Sequence, residues 1–331
     1  MRALRLERPG PAASAPLDAI ELPDPEPGRG EVVVAVSACG VCRTDLQLCE
    51  GDLAAHQLPI VPGHQVVGRI VAVGEGVDGG LVGDRVGIAW IAGTCGECRF
   101  CRSGRENLCD AARFTGWDRD GGYATAVTAR ADFVYPLPDG FDDLSAAPLL
   151  CGGVIGYRSM RVAGVEPGMR VGLYGFGASA TCVIQLARYW DCEVHVCTRS
   201  ASEQQRALDL GAAWAGGYDE LPPVPLDAAI TFAPAGDVVI RALEAVDKGA
   251  AVAVNAIHLD RVPEFSYDAL WWERSLRSVA NVTRADVREF LALAAKVPVH
   301  TQIEVFGLDQ ANEALGRLSR GEIAGSAVLS S

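Results

Sequence analysis

Cys95, Cys98, Cys101 and Cys109 crowd into one stretch, Cys95-Gly96-Glu97-Cys98-Arg99-Phe100-Cys101 followed by Cys109. Two-residue spacers let successive sulfurs converge on one ion without a long loop closure, and four thiolates suit the tetrahedral preference of Zn2+. An ion held by four protein ligands has no open position, so the loop predicts a structural zinc that braces the chain and takes no part in chemistry. A second chemical signal is Gly175-Phe176-Gly177-Ala178-Ser179-Ala180, which follows a short apolar run and opens a helical pattern. Glycines there let the backbone approach a pyrophosphate, and the free N–H groups of the helix's first turn favour its charge. Gly175, Gly177 and Ala178 are therefore candidate dinucleotide contacts. Roughly 20 residues on, a chain that selects NAD places Asp or Glu on the ribose hydroxyls. Thr198-Arg199-Ser200 stands there instead, and Asp191 comes too early to restore the acid. A guanidinium and two hydroxyls suit a 2′-phosphate, which gives the expectation that NADP(H) is preferred over NAD(H).

The elements that must position these residues are legible as two textures. Valine-rich runs at 31–36, 65–73 and 84–91, punctuated by Gly and Pro, predict strands of a mainly antiparallel unit. From about residue 150 strand and helix patterns alternate. Strands are expected at 170–174, 193–197, 228–232 and 250–256, and helices at 178–190, 202–210 and 238–246. Such alternation implies a parallel sheet covered on both faces, because parallel neighbours need crossover connections. The fold class is thus α/β, with a doubly wound parallel Rossmann sheet and a second, mainly antiparallel domain. A helix at 284–295, an extended stretch at 303–306 and a helix at 309–318 complete the chain. A chain of 331 residues is too long for one ordinary core. The expected division is 1–151 with 282–331 as a zinc and substrate domain, and 152–281 as a dinucleotide-binding domain.

Bulk properties narrow the partners. The formal charge of −13, with no basic run, repels a phosphate backbone and argues against nucleic acid. No apolar stretch nears the roughly 20 residues a bilayer crossing needs, so no membrane association is expected. Charges interrupt the first residues, Met1-Arg2-Ala3-Leu4-Arg5, so no secretory leader is read there and a cytoplasmic location is expected. Eleven cysteines in that compartment point to metal binding before disulfides.

Four segments in order, Gly40-Val41-Cys42-Arg43-Thr44-Asp45, Gly63-His64-Gln65, the four-cysteine loop and Leu150-Cys151-Gly152, resemble the zinc-dependent medium-chain alcohol dehydrogenases almost end to end. The resemblance implies a GroES-like catalytic domain beside the Rossmann domain, two Zn2+ per chain, and assembly as a homo-dimer or homo-tetramer. It identifies Cys42, His64 and Cys151 as ligands of a catalytic zinc with one open position. Two thiolates and an imidazole do suit that ion, although Cys39 competes with Cys42 by spacing alone. Thr44 corresponds to the hydroxyl that passes the substrate proton onward, and Asp45 to the carboxylate that orients the ligating histidine. Arg43 is implied as a pyrophosphate contact, and the backbone around Ala256, Ile257 and His258 as the hold on the nicotinamide carboxamide. Gln47 and Gln65 depart from the family's usual His and Glu, which puts the usual proton relay in doubt and leaves His56 as a substitute path. The expected reaction is hydride transfer between a nicotinamide and a small-molecule aldehyde, ketone or alcohol. Reduction of an imine or conjugated alkene is the alternative, and a non-catalytic NADPH-binding protein a further one.

Overall fold

In the computed structural model, which describes residues 1–257, 259, 261–297 and 299–331, the chain forms two compact units. Met1–Cys151, Asn281–Ala295 and His300–Ser331 make the first, and Gly152–Ala280 with Lys296–Val299 the second. No helix among the described residues is long and apolar enough to cross a membrane.

The first unit is built on a seven-stranded sheet. Its order is Ile303–Gly307, Ser326–Ser330, Glu31–Val41, Gln65–Val73, Arg85–Ile88 and Val134–Pro136, with Ala126–Arg130 also paired to Glu31–Val41. All pairings are antiparallel except that of Ile303–Gly307 with Ser326–Ser330. Glu31–Val41 runs longer than its valine repeat predicts because Ser37-Ala38-Cys39-Gly40 continues the ladder with Gln65, Val66 and Val67. The run expected at 84–91 is divided into Arg85–Ile88 and Ile91–Gly93, which belong to different sheets. Leu6, Leu46, Leu48, Ile60, Ile70 and Ile88 are fully buried in the core of this unit.

Six parallel strands form the second unit, in the order Trp214–Gly216, Glu193–Cys197, Arg170–Tyr174, Leu226–Thr231, Val246–Val254, Ser275–Ser278. Numbered along the chain this is 3-2-1-4-5-6, the dinucleotide-binding order, which reverses between Arg170–Tyr174 and Leu226–Thr231. Strands buried on both faces read as nearly continuous apolar runs, and Val171, Leu173, Val194, Val196 and Ile230 are accordingly sealed off from solvent. Ala178–Tyr189, Ala201–Asp209 and Gly236–Ala245 are the crossover helices. A further helix, Gly152–Ala163, packs on Ala178–Tyr189 and Val246–Val254. The outer strands Trp214–Gly216 and Ser275–Ser278, short and poor in branched apolar residues, carry no strand signal in the sequence.

Candidate functional site

The antiparallel register of the first sheet explains why Cys42 and His64 meet. Gly40 lies opposite Gln65, so Val41 would face His64 and Cys42 falls one residue further, where the strand gives way to the helix Arg43–Glu50. The glycine before the histidine is obligatory. Gly63 has φ of +98°, and a Cβ there would lie 2.4 Å from the Tyr123 ring and 2.9 Å from Cys39 Sγ. Cys151 arrives from a separate direction, at the end of the 3-10 turn Ala147–Leu150. The potential ligand atoms of Cys42, His64 and Cys151 all lie within 4.8 Å of one another. Cys39, the competitor by spacing, is buried against Gly63 and Gly122 with its Sγ directed to Gly40 O at 3.7 Å, and does not join the trio.

Asp45, buried in the helix's first turn, holds two of these residues at once. Its Oδ2 accepts the Cys42 backbone N–H at 2.9 Å, and its Oδ1 lies 3.1 Å from His64 Nδ1. A proton on Nδ1 leaves Nε2 as the free lone pair, and Nε2 lies 3.5 Å from Cys42 Sγ. Zinc–sulfur and zinc–nitrogen bonds of about 2.3 and 2.0 Å in a tetrahedron set an edge of about 3.5 Å. Cys42 Sγ and His64 Nε2 are thus spaced as the ion requires. Burial alone would lower the His64 pKa, but the charges of Asp45 and Cys42 outweigh it and hold the ring up at about 10, so the Nε2 lone pair becomes available to an ion only as that ion displaces the second proton. Contact with Cys151, followed by burial, pushes the Cys42 thiol well above its ordinary value. A pocket with that balance favours positive charge at its centre.

Thr44 is buried beside Asp45, whereas Arg43 is exposed and Gln47 half-buried. Gln65 is buried, and its Nε2 has no hydrogen-bond partner among the described residues. His56 stacks on Trp117 at 3.8 Å between centroids and pairs through Nδ1 with Asp118 at 2.8 Å. That ring belongs to an aromatic wall the sequence does not announce. Trp90 meets His64 edge-on at 4.8 Å, and Phe114 and Trp117 lie 5.4 and 5.7 Å from Trp90.

The four-cysteine loop forms the second cluster. Cys98 and Cys101 sulfurs are 3.5 Å apart, Cys109 and Cys95 3.5 Å, and Cys95 and Cys101 3.9 Å. A tetrahedral ion with sulfur ligands at about 2.3 Å implies edges of about 3.8 Å. Backbone N–H groups of Cys98 and Cys101 donate to the Sγ of Cys95 and Cys98. Donation from the backbone of Glu97 and Cys98 draws the Cys95 thiol down to about 7, while burial pushes Cys101 up to about 11.

In the second unit Gly175 N–H donates to Cys197 O at 2.8 Å, and the turn needs glycine because φ is +91° with the Ala233 backbone 3.0 Å from a would-be Cβ. Gly177, exposed, is the N-cap of Ala178–Tyr189, with no side chain closing the helix. Of the residues expected at the ribose, Arg199 is exposed, Ser200 caps Ala201–Asp209, and Thr198 is buried with its hydroxyl donated to Glu203 at 2.5 Å. Ile257 is exposed after the strand Val246–Val254, and His258 lies outside the described residues.

A sheet of order 3-2-1-4-5-6 with a glycine turn is the dinucleotide-binding arrangement, and the antiparallel unit carries two donor clusters, one of four cysteines and one of two cysteines and a histidine, that could each hold a metal ion. Residues 28–139 match the alcohol dehydrogenase GroES-like domain, and the chain belongs to the zinc-dependent medium-chain alcohol dehydrogenase family. It is 50% identical over 335 residues to the probable alcohol dehydrogenase AdhA of Mycobacterium tuberculosis, covering 99% of this chain and 97% of that one. It is 32% identical to the aldehyde reductase AdhA of Synechocystis, covering 92% of each. The structure of a cinnamyl alcohol dehydrogenase from Sorghum bicolor matches with a TM-score of 0.90 at 26% identity, covering 99% of this chain and 97% of that one.

Proposed function

We propose that the protein is a zinc-dependent, NADP(H)-linked alcohol dehydrogenase and carbonyl reductase, interconverting a small alcohol and its aldehyde or ketone by hydride exchange with a nicotinamide. The convergence of Cys42, His64 and Cys151, with Asp45 on the far nitrogen of the histidine, carries the reading. Cys42 Sγ, His64 Nε2 and Cys151 Sγ would hold the catalytic ion, and Cys95, Cys98, Cys101 and Cys109 the structural one. Zinc bound by three protein ligands supplies Lewis-acid polarisation of a substrate oxygen at its open position.

The chain's own groups do the rest. Asp45 fixes the His64 tautomer and ring orientation. Thr44 Oγ1, which can accept and donate together, holds the substrate hydroxyl proton and passes it on. Trp90 and the rings beside it give the substrate's carbon body an apolar wall and thin the water around the reacting carbon. Gly175, Gly177 and Ala178 receive the pyrophosphate, Arg43 and the backbone near Ile257 and His258 assist, and Arg199 and Ser200 favour the 2′-phosphate of NADP(H). We place the enzyme in the cytoplasm as a homo-dimer or homo-tetramer.

Metal analysis of purified protein should find two zinc equivalents per chain, and Cys42→Ala should retain one while alcohol oxidation falls by at least 1,000-fold, about 4 kcal/mol of barrier. Undiminished turnover in Cys42→Ala would overturn the reading. A strong preference for NADH over NADPH would overturn the cofactor assignment alone.

A further inference from the structure

Cys197 pairs in register with Tyr174, so the residue that follows each strand, Thr198 and Gly175, stands at the same edge of the parallel sheet. That is where an acid ordinarily reads the ribose hydroxyls of NAD. Along the chain the acid is missing, but in space a carboxylate returns. Glu203, in the first turn of Ala201–Asp209, accepts the Thr198 hydroxyl at 2.5 Å. Three further contacts fix this corner. Ser200 Oγ caps the Glu203 N–H at 3.4 Å, Gln204 Nε2 donates to Thr198 O at 2.8 Å, and Arg206 Nη2 donates to Phe176 O at 2.5 Å inside the glycine turn. Tyr218 faces the same groups. Burial pushes its phenol up, the Arg199 charge draws it back, and the Glu203 charge pushes it up again.

We propose that Glu203 is a specificity-determining residue: its carboxylate replaces in space the acid missing at position 198, accepts the ribose hydroxyls of NAD(H), and opposes a 2′-phosphate that Arg199 attracts. The inference rests on the dinucleotide reading above and deepens it. Thr198, buried and with its hydroxyl already donated, is not free to bind a phosphate. The choice is left to two opposed charges, Arg199 and Glu203. A carboxylate accepts from two neighbouring hydroxyls, whereas a phosphate carrying close to two negative charges meets it as a like charge. The NADP(H) preference that Arg199 supplies is therefore tempered, and NAD(H) remains usable.

Glu203→Gln keeps an acceptor for Thr198 and removes the charge. It should raise the ratio of kcat/KM for NADPH over NADH at least tenfold, through the KM values more than through kcat. Isothermal titration should show the same shift for 2′,5′-ADP against 5′-AMP, ligands that need no turnover. Arg199→Gln should move both ratios the opposite way, giving a second variant in case the first misfolds. Ratios within twofold of the parent in Glu203→Gln, or in Arg199→Gln if only that variant folds, would overturn the proposal. Loss of alcohol turnover with these nucleotide shifts intact would count against the catalytic reading and leave this one standing.

Discussion

Asp45 shows how much a single buried side chain decides. It is not one of the three converging donors, yet one oxygen fixes the backbone of Cys42 and the other the ring of His64. Asp45→Asn can keep a similar shape but presents an amide to Nδ1–H and loses the charge that favours the cation. Partners of metal-ligating histidines typically matter by about 10–100-fold in metal affinity or activity. We expect zinc affinity at the Cys42 site, measured by chelator competition, to weaken within that range while the four-thiolate ion is retained. Unchanged affinity would show that strand register alone holds the ligands. Gln65 invites a second test. Its buried amide lacks the negative charge of the family's usual Glu, so the polarising power of the ion is expected to be undiluted and carbonyl reduction favoured. Gln65→Glu should lower the ratio of reduction to oxidation rates, and an unchanged ratio would remove the amide from the explanation. At this scale legibility follows chemistry. The four-cysteine loop and the glycine turn announce themselves by residue type and spacing, whereas Cys42, His64 and Cys151 stand out only through the family resemblance. Trp90, Trp117 and Glu203 do not, since an aromatic or an acid in a loop or helix has many ordinary uses until its neighbours are known.

Among the elements, the helix Arg284–Ala294 has a role that its amphipathic pattern does not disclose. Its first residue reaches back to the four-cysteine loop, where Glu106 accepts from the Arg284 backbone N–H and from its guanidinium at 2.7–3.0 Å. Arg284 also donates to Asp132 at 3.0 Å. Burial would raise the Glu106 pKa, but the Arg284 hydrogen bonds and charge prevail and hold it below the ordinary value of 4.5. A folded-state pKa held below the unfolded one contributes stability that is complete above the unfolded value and fades as pH falls through the folded one. Losing these charge-assisted hydrogen bonds in Glu106→Gln should cost about 2 kcal/mol at pH 7, less than breaking a fully buried pair because Arg284 keeps Asp132 and some solvent. The difference in Tm between parent and variant should shrink below pH 4.5, and a constant difference would mean that the carboxylate charge is idle. Elements with strong patterns, such as Arg170–Tyr174 and Glu193–Cys197, could be read residue for residue. The edge strands could not, because Ser275-Leu276-Arg277-Ser278 buries little and owes its extended form to the ladder with Val246–Val254. Ser326–Ser330 escapes for a related reason, since its place is set by Glu31–Val41, far away in the chain.

Across the whole molecule, both donor clusters sit in the first unit, and no comparable Cys/His/Asp/Glu group occurs among the described residues of the second. Metal removal should therefore divide the molecule. The segment from Cys95 to Arg105 is largely polar, with Gly96, Glu97, Arg99, Arg102, Ser103 and Gly104, and little of it is buried. Such a loop offsets little of its ordering entropy by burial, so on the proposed zinc reading its order is expected to depend on the ion. A ligand present at about 1,000 times its Kd stabilises the folded form by about 4 kcal/mol, and 1 kcal/mol shifts the Tm of a unit of this size by about 2–4 °C. Stripping zinc with a strong chelator should lower the first transition by about 10 °C and open Arg99, Arg102 and Arg105 to trypsin. The six-stranded sheet has its own metal-free core, built on Tyr174, Leu226, Ala229, Leu243 and Val252. Hydrogen exchange followed by mass spectrometry can read the two responses peptide by peptide. Protection should collapse around Cys95–Cys109 and weaken near Cys42 and His64, while peptides from Arg170–Tyr174 and Leu226–Thr231 keep theirs. Equal loss of protection in those strands would show that the zinc ions stabilise the dinucleotide unit as well, and that its apolar core is not sufficient on its own.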